Sequence, residues 1–411
     1  MNCKISEAKS NYKLLGDYIT KVNLRNKDLK TTNLKGLSMT KEFRESTSNI
    51  IGVDLSKYKL VPKNHFACDF MSVIRVHKLP VVHQNSDELI IVSPAYTVFK
   101  VIDENILNPE YLMMWFRRPE FDRYADFRCD SAIRGGFKWD ELGEVELPIP
   151  SIEKQHEIVK EYNTVANRIT LNETINKKLE DTAQALYKHW FVDFEFPNEQ
   201  GKPYKSNGGK MVFNEELDLE IPLGWESGKL SEISNITMGQ SPSGKSFNSN
   251  KLGEIFYQGR TDFGFRFPNI RNYTTEPKRR AKKGNILMSV RAPVGDLNIA
   301  NNNCCIGRGL SALNSKDNCN SFLFYLMQNI RNQFDVANGE GTIFGSITKD
   351  GLHEIKILKP NTLIIEEFEK LVKIIDSRIE KIALKTSILM PIKSLLLSKM
   401  SKVAIEKETV C

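Results

Sequence analysis

The chain has 411 residues, which is too long for one ordinary domain and suits two or three. Its hydrophobic share of 40% can fill real cores, its charged share of 27% favours solubility, and its net charge of +7 makes nucleic acid a natural candidate partner. No apolar run approaches the roughly 20 residues that span a bilayer, and the N-terminus lacks the apolar core of a signal peptide, so we expect a cytoplasmic protein.

Residues 1–150 are predicted to form a mixed α/β domain. Segments rich in Val, Ile and Phe predict short strands, and Leu112, Trp115 and Phe116 predict a short helix packed through one face. The predicted strands are residues 12–19 (a strand or a turn), 69–76, 88–93 and 96–102, and the predicted helix is residues 108–121. We expect Tyr96 and Phe99 to lie in the core.

A long helix is predicted for residues 151–191, because Pro148 and Pro150 end the extended segment and Ser151 offers an N-cap. Its seam residues recur at steps of four and three, which is typical of a coiled coil. The seam consists of Ile158, Tyr162, Val165, Ile169, Leu179, Ala183, Leu186 and Trp190, with polar layers at Asn172 and Asn176.

The second half of the chain repeats this plan. Its predicted parts are a connector at residues 192–224, a second globular domain at 225–360, a second long helix at 361–402 and a polar tail at 403–411. The second seam is Phe368, Val372, Ile375, Ile379, Ile382, Thr386, Leu389, Lys393, Leu396 and Met400. Pro391 is expected to kink the last turns of this helix, and Lys393 is expected to face a solvated end or a partner.

The two halves are related by an offset of 210 residues. Residues 131–150 lie over 341–360 at this offset, as do the two helical seams, whereas the copies diverge farther upstream. A long period that is present twice indicates a duplication rather than a solenoid. One backbone plan is therefore expected to carry two different surfaces.

Basic residues concentrate in the second half. Nine of them lie between Arg260 and Arg291, where only Asp262 and Glu276 oppose them. Four aromatic residues are interleaved with them: Phe263, Phe265, Phe267 and Tyr273. A basic run is most often a solvated face, so the window by itself leaves a solvated face and a nucleic-acid contact equally open.

One motif has the spacing of a phosphate-binding loop. Residues 239–246 read GQSPSGKS, and such a loop needs a strand before it and a helix after it. The residues that follow are rich in Asn and Gly and have no amphipathic period. The pattern therefore favours a polar loop whose Lys245 contacts a DNA phosphate over a nucleotide site.

The chain shows no catalytic or metal-binding pattern. Its seven cysteines are odd in number and lack a Cys-x-x-Cys pair, and its six histidines are scattered. We expect reduced thiols, no metal site and a chain that binds and assembles rather than catalyses.

Three segments carry a resemblance to a known family. They are WFVDFEFPNEQGKPYKSNGGKMV (residues 190–212) followed by IPLGW (221–225), SPAYTVFKV with NPEYLMMWF, and KKGNILMSVRAPVGDLNIA with CIGRGLSAL. The chain resembles the specificity subunit of type I restriction–modification enzymes from about Tyr12 to Met400. It departs from the family at its start, because the first copy lacks the Pro-x-Gly-Trp that opens the second.

The resemblance implies an α+β fold. Two mixed α/β target-recognition domains would be separated by two long helices that form an antiparallel coiled coil, with a pseudo-two-fold internal repeat. Each domain would read one half of an asymmetric, bipartite DNA site, and the helices would set the unread spacer. The same resemblance implies two methyltransferase subunits and two motor-nuclease subunits as partners. S-adenosylmethionine, ATP and magnesium would belong to those partners, so that this chain would not be an enzyme.

Exposed cations at the two recognition surfaces would contact DNA, while the seams would hold the helices together. The candidate DNA-binding residues are Arg75, Lys78, Arg128 and Arg134 in the first domain, and Lys245, Arg260, Arg266, Arg271, Arg291 and Arg308 in the second. Two rival hypotheses remain open. One is a P-loop ATPase, and the other is a scaffold that assembles partners without reading a DNA sequence.

Overall fold

The computed structural model describes residues 12–47, 51–129, 136–291, 293–339 and 346–401. These residues form two compact units. Unit 1 contains the described residues up to Asn172 together with those from Lys385 onward, and unit 2 contains those from Glu173 to Leu384. Each unit holds its own sheets and a section of both long helices, which span Ile152–Phe191 (the first long helix) and Thr362–Lys399 (the second long helix).

Unit 1 is built around a four-stranded antiparallel sheet. Its neighbours, in order, are Ile19–Val22, Thr97–Val101, His65–Cys68 and Val81–His83. Phe66 lies opposite Phe99, and the two buried rings stack with centroids 4.9 Å apart. Two-stranded sheets pair Tyr12–Leu14 with Glu146–Pro148, Lys35–Leu37 with Phe43–Glu45, and Lys59–Val61 with Ile90–Val92. The strands predicted within residues 88–93 and 96–102 are thereby confirmed.

The helix predicted for residues 108–121 is two helices, Pro109–Phe116 and Pro119–Arg128. The first begins where the Asn108 side chain accepts the N–H groups of Glu110 and Tyr111, which is the usual role of an N-cap residue. The interruption follows from Pro119, which disfavours a helical conformation for the residue before it. Arg118 is accordingly extended, with φ −72° and ψ 137°.

The strand predicted for residues 69–76 is wrong. The segment turns at Asp69, whose carboxylate accepts the N–H of Met71 at 3.1 Å and the hydroxyl of Ser72 at 2.5 Å, and a short helix, Val73–Val76, follows. Local side-chain hydrogen bonds of this kind compete with strand pairing. The apolar residues therefore supply one helical turn rather than a strand. A last short helix, Trp139–Gly143, precedes the closing strand of the unit.

Within unit 1 the two long helices pack through their seams in opposite directions. Near one end the Lys393 ammonium lies 5.8 Å from the centre of the Tyr162 ring, and near the other Asn172 donates to the Thr386 hydroxyl at 3.2 Å. One polar layer of each seam therefore meets the other, at Asn172 and Thr386, whereas Lys393 lies against an aromatic ring. Lys393 is half-buried against this ring, and the second long helix continues through Pro391 to Lys399.

Unit 2 contains two larger sheets. The first is antiparallel, with neighbours Ser234–Met238, Leu310–Ser315, Ile286–Ser289 and Leu297–Ile299 in that order. The second is mixed, with the order Phe247–Asn248, Asn272–Thr274, Glu254–Tyr257, Cys304–Ile306 and Arg280–Ala281. Smaller pairs join Met211–Asn214 to Leu219–Pro222 and Glu226–Lys229 to Lys356–Lys359. The helices are Leu230–Ile233, Asn320–Gly339 and Lys349–His353, besides the sections of the long helices.

An aromatic cluster joins the end of the first long helix to the rest of unit 2. Phe191 lies 5.1 Å from Phe368 of the second long helix and 4.9 Å from Phe322, measured between ring centroids. In the connector, Phe196 stacks on Trp225 at 4.9 Å. Edge-to-face and stacked ring pairs of this kind add to the stability that burial provides.

The elements that precede each long helix follow the 210-residue offset. In unit 1 they are Trp139–Gly143 and Glu146–Pro148, and in unit 2 they are Lys349–His353 and Lys356–Lys359. In both units this last strand pairs antiparallel with an earlier strand, Tyr12–Leu14 in unit 1 and Glu226–Lys229 in unit 2. No helix among the described residues is both long and apolar enough to cross a membrane.

Candidate nucleic-acid interface

The basic window contains a loop that runs from Gln258 to Asn269 and is fixed by hydrogen bonds. The Asp262 carboxylate accepts the N–H of Gln258 at 2.8 Å, and the Asp262 carbonyl accepts the N–H of Asn269 at 2.7 Å. The Asn298 side chain binds both backbone groups of Gly264, at 3.1 and 2.9 Å. Because these buried polar groups are all hydrogen-bonded, the loop backbone is held in one conformation and fixes the positions from which its exposed side chains extend.

Arg266 is the buried anchor of this loop, with 5% of its surface exposed. Its guanidinium is paired with Glu180 of the first long helix and with Asp376 of the second, each at 2.5 Å. It also donates to the Tyr325 hydroxyl at 3.0 Å and lies 3.8 Å from the centre of the Phe324 ring. A planar, multidentate guanidinium suits this arrangement, which an ammonium group would not satisfy.

The structure therefore contradicts the prediction that Arg266 contacts DNA. Burial by itself would lower the pKa of Arg266, but the carboxylates of Asp376 and Glu180 and the hydrogen bond to the Tyr325 hydroxyl more than offset it and raise the pKa. The cation is compensated inside unit 2. Its left-handed backbone, with φ 67°, is rare for a residue with a side chain and is held by the surrounding contacts.

Two other arginines of the window are exposed but paired. Arg280 makes a forked pair with the Glu254 carboxylate at 2.9 and 3.0 Å, and Arg260 pairs with Asp296. Exposed ion pairs contribute only about 0–1 kcal/mol. Arg280 can therefore exchange its carboxylate for a phosphate at little cost. Asp296 is only 15% exposed but keeps Arg331 as a second partner at 2.7 Å, so Arg260 can also turn to a phosphate, as its prediction requires.

The structure brings the Lys245 loop beside the turn that carries Arg308. The N–H of Gly239 donates to the Leu310 carbonyl at 2.9 Å, and the N–H of Arg308 donates to the Ser241 hydroxyl at 3.2 Å. Both cationic side chains are exposed. Gly239 is required here, because a Cβ at that position would lie 2.1 Å from the Gly307 carbonyl oxygen.

The same loop lacks the geometry of a nucleotide site. It follows the strand Ser234–Met238, but after the single turn Gly244–Ser246 the chain enters another strand, Phe247–Asn248. A phosphate-binding loop needs a helix N-terminus at that point. The P-loop ATPase hypothesis therefore loses its structural support.

The remaining candidates occupy different places. Arg271 and Arg291 are exposed in unit 2, and Arg75 and Lys78 are exposed in unit 1 around the short helix Val73–Val76. That turn is joined to the helix of Arg128 by a 2.9 Å contact between His77 and Asp126. Arg128 itself is half-buried and paired with Glu144, while Arg134 lies outside the described residues.

Sequence reasoning missed the buried charges. Glu180 and Asp376 directly follow the seam residues Leu179 and Ile375, so carboxylates adjacent to a seam were the available signal. No sequence pattern marks Lys41, which is also buried, with 4% of its surface exposed. Its ammonium lies 2.7 Å from the Asp122 carboxylate, and burial lowers its pKa despite that carboxylate.

The described thiols are poorly suited to nucleophilic chemistry. Cys68, Cys304, Cys305 and Cys319 are buried, and burial raises the pKa of Cys304 to about 12 and that of Cys319 to about 11. A nucleophilic cysteine needs a lowered pKa. Among the described residues, no group of three or more His, Cys, Asp and Glu side chains could hold a metal ion.

Comparison with known proteins gives consistent matches. The family model for the type I restriction modification DNA specificity domain matches residues 222–394. The putative type I restriction enzyme MjaX specificity subunit of Methanocaldococcus jannaschii is 30% identical over 335 residues, covering 80% of this chain and 75% of that protein. The type I restriction enzyme HindI specificity subunit of Haemophilus influenzae is 25% identical over 375 residues, covering 74% and 79%.

A solved structure shares the fold. The S subunit of a type I restriction–modification system from M. genitalium superposes with a TM-score of 0.57 at 15% identity, and the match covers 95% of each chain.

Proposed function

The chain belongs to the family of type I restriction enzyme specificity subunits, and from this premise we propose that it reads a bipartite, asymmetric DNA site. Unit 1 reads one half-site and unit 2 reads the other. The observation that carries the proposal is that each unit combines its own, differently ordered sheets with a section of the same two long helices. Two different surfaces on one duplicated plan suit two different half-sites.

Exposed cations supply the affinity in each unit. Arg75 and Lys78 serve unit 1, and Lys245, Arg308 and Arg271 serve unit 2. Contacts with phosphates fix register and orientation, while contacts with base edges select the sequence. Counterion release makes such binding steeply dependent on salt.

The long helices form an antiparallel coiled coil that sets the unread spacer and positions two methyltransferase subunits, which two motor-nuclease subunits then join. Support for docking comes from apolar side chains that the seams leave exposed on the second long helix. In unit 2, Leu371 is 48% and Ile374 is 72% exposed, and in unit 1, Ile388 is 58% and Leu395 is 53% exposed. Exposed apolar stripes of this kind mark protein interfaces.

The chemistry belongs to the partners in this proposal. S-adenosylmethionine serves the methyltransferase subunits, ATP and magnesium serve the motor-nuclease subunits, and this chain decides where they act. The test is direct: the purified chain, given DNA and S-adenosylmethionine, is expected to transfer no methyl group and to bind DNA less tightly as salt rises. Methyl transfer by the chain alone would contradict the proposal.

The remaining rival is a scaffold that assembles partners without reading a sequence. Footprinting of the assembled methyltransferase on random-sequence DNA separates the two hypotheses. We expect protection of one recurring bipartite site, whereas a scaffold would protect no preferred sequence.

A further inference from the structure

The Gln258-to-Asn269 loop is anchored at alternate residues. The Asp262 carboxylate is buried, both backbone groups of Gly264 bind Asn298, and the Arg266 side chain reaches the two long helices. The Asp262 and Arg266 side chains point into unit 2, and Gly264 has no side chain. The residue between the last two anchors, Phe265, is turned outward.

Phe265 is held by its backbone while its ring stays in water. The N–H of Phe267 donates to the Phe265 carbonyl at 2.8 Å, and the N–H of Ile299 donates to the Arg266 carbonyl at 2.7 Å. The Phe265 side chain is nevertheless 53% exposed. An aromatic ring on a fixed support loses little conformational entropy when it binds, so it makes an efficient contact residue.

The charges around Phe265 in the chain indicate what it meets. Arg260 and Arg271 flank it and are exposed, whereas the acidic residue of this stretch, Asp262, is buried. A loop that carries exposed arginines on both sides of an exposed aromatic residue in the chain suits duplex DNA. Phosphates would pair with the arginines, and the C5-methyl group of thymine is the apolar feature of a base edge in the major groove.

We propose that Phe265 is a specificity-determining residue that makes an apolar contact with a base edge in the half-site read by unit 2, and that Arg266 is the positioning residue that holds it there. The inference rests on the proposed function.

The test uses the chain assembled with its two methyltransferase subunits. Dissociation constants are measured on duplexes that carry the cognate site or single-base changes in either half-site. Phe265→Ala is expected to lower discrimination by about tenfold at one position of the half-site read by unit 2, the size of one lost base contact. Discrimination in the other half-site and assembly of the complex should not change. Phe213→Ala is the matched control, because Phe213 is an exposed aromatic of the same unit at 61% and lies outside the loop.

Arg266→Lys tests the positioning role. It keeps the charge but cannot bridge Glu180, Asp376 and the Tyr325 hydroxyl as a guanidinium does. We expect the same loss of discrimination in the half-site read by unit 2. If this variant does not fold, hydrogen exchange on the unaltered protein decides: the amides of Gly264 and Phe267 should exchange as slowly as those of the unit 2 strands, and fast exchange would refute the positioning role.

Besides fast amide exchange, three results would overturn the inference. They are unchanged discrimination in Phe265→Ala, unchanged discrimination in Arg266→Lys, and a loss of complex assembly in Phe265→Ala, which would make the ring a protein contact. A failure of the proposed function looks different, because the unaltered complex would then prefer no DNA sequence at all.

Discussion

At the scale of single residues, burial separates the cations that hold the fold from those that can reach DNA. Arg266 and Lys41 are compensated by carboxylates inside their units. Lys245 and Arg308 are exposed on adjoining loops. The sequence does not distinguish the two classes, because the carboxylates of Arg266 lie 86 and 110 residues away in the chain.

Lys245 and Arg308 should each contribute one phosphate contact. Each contact contributes about 0.9 to the slope of log affinity against log salt concentration, so Lys245→Gln and Arg308→Gln should each reduce that slope by about one. Salt titrations of the assembled methyltransferase measure it. Lys202→Gln, an exposed site in the connector, is the control, and an equal reduction there would show that net charge alone is responsible.

His83 should make unit 1 sensitive to acid. Its ring stacks on Phe66 at 4.8 Å, and burial lowers its pKa from 6.5 to about 4. Between these values the unfolded chain binds a proton that the folded chain does not, so stability falls as pH decreases, by about 1.4 kcal/mol per pH unit.

Urea unfolding of unit 1 between pH 7 and pH 4.5 measures this effect. His83→Gln should flatten the dependence, because the proton acceptor is removed. The same slope in both proteins would show that His83 is not the group responsible.

At the scale of elements, the regular parts of the fold follow from sequence pattern and the irregular ones do not. The seam of four- and three-residue steps locates both long helices within a few residues of their observed ends. The segment at 69–76 has strand-forming residues but turns, because the Asp69 carboxylate binds Met71 and Ser72. The hydrogen bonds of the Asp69 carboxylate thus outweigh the strand propensity of the residues that follow it.

Gly239 should be essential to the loop that carries Lys245. A Cβ at Gly239 would lie 2.1 Å from the Gly307 carbonyl oxygen, whereas nothing lies within 4 Å of a Cβ at Gly244. Gly239→Ala is expected to reduce the unfolding free energy by about 1–3 kcal/mol, and Gly244→Ala to leave it nearly unchanged or slightly raised. Denaturant titration compares them, and equal effects would contradict the close packing of these loops.

Pro391 should destabilise the second long helix, which nevertheless continues through it. Proline inside a helix costs up to about 3 kcal/mol relative to alanine, so Pro391→Ala should raise the unfolding free energy by about 1–3 kcal/mol. Ser394→Ala, an exposed neighbour on the same helix, controls for helix propensity. A loss of stability in Pro391→Ala would mean that the proline is favoured by its surroundings.

At the scale of the whole molecule, the duplication is the feature that sequence alone made visible. The 210-residue offset relates Trp139–Gly143 to Lys349–His353 and the strand that follows each. The central sheets could not be derived in this way, because their strands come from the divergent parts of each copy. The sheets differ between the two units, whereas the helix and strand before each long helix match. Two different DNA-reading surfaces on one duplicated backbone require this combination.

Unit 1 and unit 2 are proposed to read separate halves of one DNA site, and methylation-sensitive long-read sequencing of the host genome tests this most directly. Genomes are compared with the gene intact, with the gene deleted, and with residues 226–360 replaced by the matching part of a relative. We predict a bipartite methylated motif that disappears on deletion and changes in one half only on replacement. A motif that survives deletion, or that changes in both halves on replacement, would contradict the account.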